Sequence, residues 1–432
     1  MVLNLDTLPR KAAVAGLAAA ATLGLSLPLW SHFRVSRLSA EGTQESLQAA
    51  VVIQPRNAEL HNRLGRVLLY SPLGDAARTT AELQRAVEVD PRNGAFWMDL
   101  ALAREISGDL QGASAAIQRG RAAEPHTPSL LWHEANFQVR RGQVEPAMRL
   151  LRELMQNAPE YTGRVLPLFS RVTEPATLIA EVVPPTRPAM DAAIEFIRRE
   201  NQVSAAAVAW ERLLKMQDPP VGQMRPFLDW LISRGEAALA VRVWREASQR
   251  GWIPVPPEAA AEPLYNGDLR QPLQDFGFDW RVLPHAEASV WMEGRGPEPG
   301  LNSLCVQFSP EARADYSHIL HYVPVEPNYH YALRAAMRSD RLAARAGAFL
   351  QMSDPFRPGS SARTDAVTGS GGWRDVLASI ETGPDTKMLL IRLARPAPVV
   401  AEEPGSGLVC IARLQWSELG PRKAESPVAG KQ

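Results

Sequence analysis

The chain has 432 residues, 45% of them hydrophobic and 22% charged, which suits two or three folded domains and argues against a disordered polymer. Lysine plus arginine equals aspartate plus glutamate at 47 each. No global field therefore exists to grip a phosphate backbone, which argues against nucleic acid as the main partner.

In chain order, residues 1–11 read as a cytoplasmic N-terminus ending in the basic pair Arg10-Lys11. The run from Ala12 to Trp30 carries no charged residue. About 19 helical residues at 1.5 Å each reach roughly 28 Å, close to the hydrocarbon thickness of a bilayer. Residues 12–33 are therefore expected to be a transmembrane anchor, with Trp30 and His32 at the interface. The basic flank places the bulk of the chain in the periplasm, as a single-pass bacterial inner-membrane protein with the lipid bilayer as one partner. Two other readings stay open: a cleaved signal peptide, with Leu38-Ser39-Ala40 as the small-residue site, and a buried alanine-rich helix.

A recurring punctuation follows. Pro55-Arg56-Asn57, Pro91-Arg92-Asn93, Pro125 and Pro159 lie 36, 34 and 34 residues apart. Between them Gly74-Asp75, Gly108-Asp109 and Gly142-Gln143 recur at 34. Each unit thus holds two helices with a turn in the middle and a proline-marked turn at the end, the geometry of a helix-pair solenoid. Within the units, Gly65, Ala101, Ala113 and Ala147 are the small residues that let paired helices approach, Trp97, Leu100, Ile117 and Leu151 fill the space between them, and Ala135 is a further repeat position. On these residues, with Gly108, Pro125, Gly142 and Pro159 as punctuation, 39–160 resembles an array of tetratricopeptide repeats. That resemblance implies a protein partner held by the first helices of the pairs. Residues 161–186, with Pro184-Pro185, read as an irregular helical connector, and 187–252 as further pairs of the same kind, since Asn201-Gln202 and Gly235-Glu236 are again 34 apart. Trp97, Trp132, Trp210 and Trp244 read as core.

Composition changes after Gly251. Pro254-Val255-Pro256-Pro257 makes 253–262 a stiff linker. Nine short apolar or alternating runs then occupy 263–416, separated by Gly, Pro and Asp, which indicates two packed antiparallel sheets. The tail, 417–432, reads as disordered. Asn266-Gly267-Asp268, Trp280, Val325 to Tyr331 and Gly372-Trp373 resemble the motifs of galactose-binding-like and carbohydrate-binding-module-like jelly rolls. The closest likeness is to bacterial envelope proteins that join such a sandwich to tetratricopeptide repeats and are linked to extracellular polysaccharide. Leu269-Arg270 departs from that pattern, as does the absence of an acidic pair after Gly407. The fold class expected is thus multidomain: a transmembrane helix, an all-α tetratricopeptide-like solenoid and an all-β jelly-roll sandwich.

Candidate chemistry is sparse. Two cysteines, Cys305 and Cys410, exclude a cysteine-dense scaffold and a four-cysteine zinc site; they fit either a disulfide or a buried pair of free thiols. Trp291, Tyr322, Tyr329 and Tyr331 are the candidate sugar-stacking aromatics, while Trp280 and Trp373 read as structural. No metal or cofactor is expected; a structural calcium, to which Asp268, Asp279 and Asp375 would supply oxygens, is the lesser alternative because their spacing is not diagnostic. His318 and His321 are three apart on a strand and face opposite sides, and His285 and His330 read as isolated. None of the nucleophile-elbow, zincin or phosphate-loop motifs occurs. Asp275, Asp279, Glu287 and Glu293 are the only acids considered for glycoside hydrolysis. The reading is a non-catalytic interaction scaffold serving polysaccharide assembly or export, the alternative being a glycan-binding sandwich with the repeats as spacer.

Overall fold

The computed structural model describes residues 8–72, 74–312, 314–342, 347–397 and 406–422. The chain divides into two compact units, residues 1–189 and 190–432.

The first unit is a row of antiparallel helices: α1 (Leu8–Glu41), α2 (Gln44–Ile53), α3 (Ala58–Leu69), α4 (Ala76–Val89), α5 (Gly94–Ile106), α6 (Leu110–Ala123), α7 (Pro128–Arg140) and α8 (Val144–Asn157). The repeated punctuation is capping chemistry. Asn57 and Asn93 accept hydrogen bonds from the first amides of α3 and α5, and Asp75 and Asp109 do the same for α4 and α6. Gly108 and Gly142 turn the chain between paired helices at φ of +87° and +72°, a conformation that costs glycine nothing. Beyond α8 come a 3-10 turn (Pro159–Tyr161), α9 (Thr162–Phe169), α10 (Pro175–Thr177) and a π-helical turn (Leu178–Val182). Val165, Leu166, Phe169, Leu178, Ile179 and Val182 bury this irregular stretch.

The expected membrane anchor is corrected here. Among the described residues no helix is long and apolar enough to cross a membrane. The segment expected to span one is part of α1, which runs on past Trp30 through Arg34, Arg37 and Glu41. Its leucines are diluted by alanine, glycine, threonine and serine. Its last turns dock instead: Val35 and Leu38 pack against Ala50, Val51 and Ile53 of α2 and Leu60 of α3, so α1 and α2 form a helix pair ahead of the three read from the sequence. A single-pass inner-membrane localisation and a bilayer partner held through a spanning helix are accordingly not supported. Of the N-terminal stretch, residues 1–7 lie outside the described residues.

Among its described residues the second unit holds the rest of α11 (Arg187–Arg199), then α12 (Val203–Leu213), α13 (Met224–Ser233), α14 (Ala237–Gln249), the short α15 (Pro257–Ala260) and ten strands. These are β1 (Arg281–Val282), β2 (Ala288–Glu293), β3 (Ser303–Phe308), β4 (Tyr316–Pro324), β5 (Tyr329–Leu342), β6 (Phe349–Ser353), β7 (Ser361–Arg363), β8 (Gly369–Glu381), β9 (Met388–Arg395) and β10 (Gly407–Pro421). They form two five-stranded antiparallel sheets, ordered β1-β4-β9-β6-β7 and β2-β3-β10-β5-β8. Alternate residues of both close one core, including Leu304, Val306, Leu333, Met337, Leu389, Ile391, Val409 and Ile411.

Two segments differ from their sequence reading. The stretch 253–262 is no free spacer: Ile253, Val255 and Ala260 are buried, and the Ser248 hydroxyl donates to Val255 O at 2.7 Å. Residues 417–421 continue β10 against β5 rather than fraying, while 423–432 lie outside the described residues. The strand β7 was not legible, being three residues long in a polar surrounding.

Candidate functional site

In the first unit the first helices of successive pairs, α3, α5 and α7, carry a polar row. The Asn62 side-chain amide donates to Asp99 Oδ2 at 3.0 Å, and Arg66 Nε lies 3.9 Å from the same oxygen. Burial pushes the Asp99 carboxyl above its ordinary range, opposed by Asn62, Arg66 and His133. Burial likewise pushes His133 down, opposed by Asp99. Further along, Arg140 grips Glu105 with two hydrogen bonds of 2.6 and 2.7 Å, which holds its guanidinium charged more firmly still. Tyr70 and Ile106, at the ends of α3 and α5, are 69% and 64% exposed. Trp132 of α7 meets Tyr161 and Phe169 with ring centroids 6.2 and 6.1 Å apart. The row thus combines paired charges with exposed apolar side chains at the helix ends.

The positions picked from the repeat pattern build the array. A side chain on Gly65 would meet Leu83 at 2.5 Å. Trp97 is 7% exposed, and its indole nitrogen donates to Pro91 O at 2.9 Å. Leu100, Ala101, Ala113, Ala135 and Ala147 are buried. Pro125 follows the end of α6 and Pro159 opens the 3-10 turn after α8.

In the sandwich the motif residues are fasteners. Asn266 bonds Gln271 and the Asp279 carboxylate, and the buried Trp280 donates to Asn266 O at 3.1 Å. A side chain on Gly267 would strike Leu414 O at 2.6 Å. Asp268 pairs with Arg270, Asp279 is buried among amide donors, and Asp375 pairs with Arg413. Among the described residues these three carboxylates do not meet in a cluster that could hold a metal ion. The donor geometry thus gives the alternative of a calcium held by these three no support.

Of the four proposed sugar-stacking aromatics, Tyr329 and Tyr331 meet, and the four do not form one exposed platform. Trp291 stands 40% exposed on the edge strand β2. Tyr322 is half-buried under Arg281, whose guanidinium lies 5.0 Å from its ring centroid. Tyr329 contacts Tyr331 at 5.8 Å, but Tyr331 is only 1% exposed and is stacked on Trp416 at 5.2 Å. Its hydroxyl accepts from the Glu326 amide at 2.8 Å. Tyr331 is therefore a core residue, corrected from the sequence reading: strand alternation sends it inward. Trp373 is half-buried beneath Arg338, 5.5 Å away. Cys305 and Cys410 are joined in a disulfide, their strands pairing with these two residues directly opposite.

Sequence reading missed two groupings. His285 is not isolated: its ring centroid lies 4.5 Å from that of His318, with Tyr316 completing the cluster. His321 is buried beside Trp280 and bonded to Tyr265 O at 2.9 Å. Both depend on chain crossings that no local motif encodes.

No family model matches the chain. Over 82 residues, 19% of this chain and 72% of the relative, it is 42% identical to a TPR repeat-containing protein of Pseudomonas aeruginosa. The chain belongs to the tetratricopeptide-repeat proteins. Its repeats make it a protein-interaction scaffold. Among solved structures, MamA matches at 15% identity and a TM-score of 0.29 over 43% of this chain and 92% of that one. YrrB, described as a TPR protein with an unusual peptide-binding site, matches at 12% identity and 0.26 over 42% and 82%. The Stig cyclase Fisc from Fischerella sp. TAU matches at 13% identity and 0.27 over 37% and 98%.

Proposed function

We propose that the protein is a non-catalytic scaffold whose tetratricopeptide array holds an extended segment of a partner protein, in the service of polysaccharide assembly or export at the bacterial cell envelope. The observation that carries this reading is the first-helix row, where Tyr70 and Ile106 stand exposed beside the paired Arg66–Asp99 and Glu105–Arg140. Exposed apolar side chains flanked by fixed charges supply both burial energy and register to an extended ligand. The polysaccharide part rests on the resemblance of the sandwich motifs to envelope proteins linked to such polymers. Two of the four acids considered for hydrolysis support a non-catalytic reading: Asp279 is buried and locked by amide donors, and Glu293 is paired with Arg338 at 2.6 Å.

The test is a photo-crosslinking residue placed at Ile106 and, as control, at Glu88 on the second-helix face, in the full-length protein in its own cells. Adducts to one protein at position 106, absent at 88, are expected. Equal labelling at both positions, or none at 106, sinks the reading. A second reading, glycan binding by the sandwich, is favoured by the exposure of Trp291. Indole faces stack on apolar sugar faces, so Trp291→Ala would then abolish retention of the protein on its own cells' polysaccharide.

A further inference from the structure

On the outer face of the second sheet, register aligns Trp291 of β2, Cys305 of β3, Cys410 of β10 and Arg338 of β5 in one row across four strands. The two cysteines are 4.1 Å apart at Cα, and both are fully buried. Glu293, two residues beyond Trp291 on the edge strand, brings Oε2 to 3.4 Å from the Cys305 sulfur. One donor atom from each of Glu293, Cys305 and Cys410 lies within 4.8 Å of the others, and the Ser303 hydroxyl is 3.6 Å from the Cys305 sulfur. Two sulfurs with one carboxylate oxygen form the donor set of a borderline-soft divalent cation such as Zn2+, and a hydroxyl or water completes four-coordination.

We propose that the Cys305–Cys410 disulfide, once reduced, becomes with Glu293 a binding site for one divalent cation of the zinc class. A dithiol reductant supplies the two electrons. The S–S bond breaks, each sulfur takes a proton as a thiol, and the reductant leaves as its own disulfide. Cation binding then releases two protons, one from each thiol, and forms two metal–sulfur bonds and one metal–oxygen bond.

As thiols the two sulfurs are neutral and Glu293 is balanced by Arg338; once both thiols ionise, the charges balance only with the cation present. Two thiolates beside a carboxylate place three negative charges together, two of them on fully buried sulfurs, where uncompensated charge is strongly unfavourable. Arg338 neutralises one, through its 2.6 Å contact to Glu293; a divalent cation neutralises the other two. Arg338 can also give up part of that contact without losing its place, because its guanidinium lies over the Trp373 ring. The inference is independent of the first-helix row in the first unit, since no atom of that unit takes part.

The experiment uses the full-length protein, stripped of metal, reduced with a dithiol, desalted without oxygen and titrated with Co2+ alone. A thiolate-to-cobalt charge-transfer band saturating at one equivalent, reversed by Zn2+ and absent from the oxidised protein, is expected. Cys410→Ser removes the band, whereas Glu293→Gln keeps it and weakens binding by at least about tenfold. The proposal is overturned if the reduced protein, folded by circular dichroism, gives no band. It is equally overturned if binding is unchanged in Glu293→Gln, a substitution on an edge strand that leaves both thiols and the core intact.

Discussion

Asp279 and His321 sit in one buried patch around Trp280 and respond to pH in opposite directions. Burial raises Asp279 to about 6 against hydrogen bonds from Gln274, Trp280 and Asn266, and lowers His321 to about 4 against bonds to the backbone of Tyr265 and Tyr322. A histidine lowered from 6.5 contributes stability that is complete above 6.5 and is lost as pH falls towards 4. A carboxyl raised from 3.8 contributes stability below 3.8 that is lost as pH rises through about 6. Each amounts to about 3 kcal/mol, and between pH 4 and 6 the two slopes nearly cancel. Asp279→Asn removes one of them. Its unfolding free energy, measured in urea, is expected to fall more steeply than the parent's as pH drops from 6 to 4, by about 3 kcal/mol; parallel curves would show that the two groups do not oppose each other. At Gly277, φ is +61° and an added Cβ would lie 2.5 Å from the Trp244 ring. Gly277→Ala should therefore cost about 1–3 kcal/mol in the same assay.

Among elements, α14 and the loop 264–280 hold each other. Trp244 meets Tyr265, Phe276 and Phe278 edge to face, with centroids 5.3, 5.7 and 5.9 Å away. Asp229 of α13 accepts from the Gly277 amide and from Arg281, both at 2.8 Å. Removing the indole empties that contact, so Trp244→Ala is expected to cost about 3–5 kcal/mol, read as a lower urea midpoint. A loss under about 1 kcal/mol would mean the contact is peripheral. Within the sandwich, the disulfide closes a stretch 105 residues long. Replacing both cysteines by alanine should lower stability by about 2–4 kcal/mol under oxidising conditions and leave the reduced protein's stability little changed.

At the scale of the second unit, the sequence suggested helices, a linker and a separate sandwich, whereas the structure packs them as one body. A fragment of 263–432 exposes Tyr265, Phe276 and Phe278, which α14 otherwise covers. It should melt below a fragment of 190–432 and bind an apolar dye that the longer fragment does not. Equal melting temperatures would restore the two-domain view. The local signals could not reveal this, because a proline-rich stretch reads the same whether it is solvated or packed. Only the partners of Ile253, Val255 and Ala260 distinguish the two.

The sequence by itself determined the repeat array and the sandwich, because both rest on short periods: 34 residues for capped helix pairs, and two for strands facing one core. It also placed Trp97, Gly108 and Trp280 in structural roles that their bonds and backbone angles explain. What only the tertiary structure decided lies between distant segments. Composition could not say that α1 continues into a docked helix pair, nor that Tyr331 turns inward onto Trp416. Nor could it bring Glu293, Cys305 and Cys410 within reach of one ion. Each depends on which strands and helices become neighbours, and that choice is made by the global burial of apolar faces rather than by any local pattern.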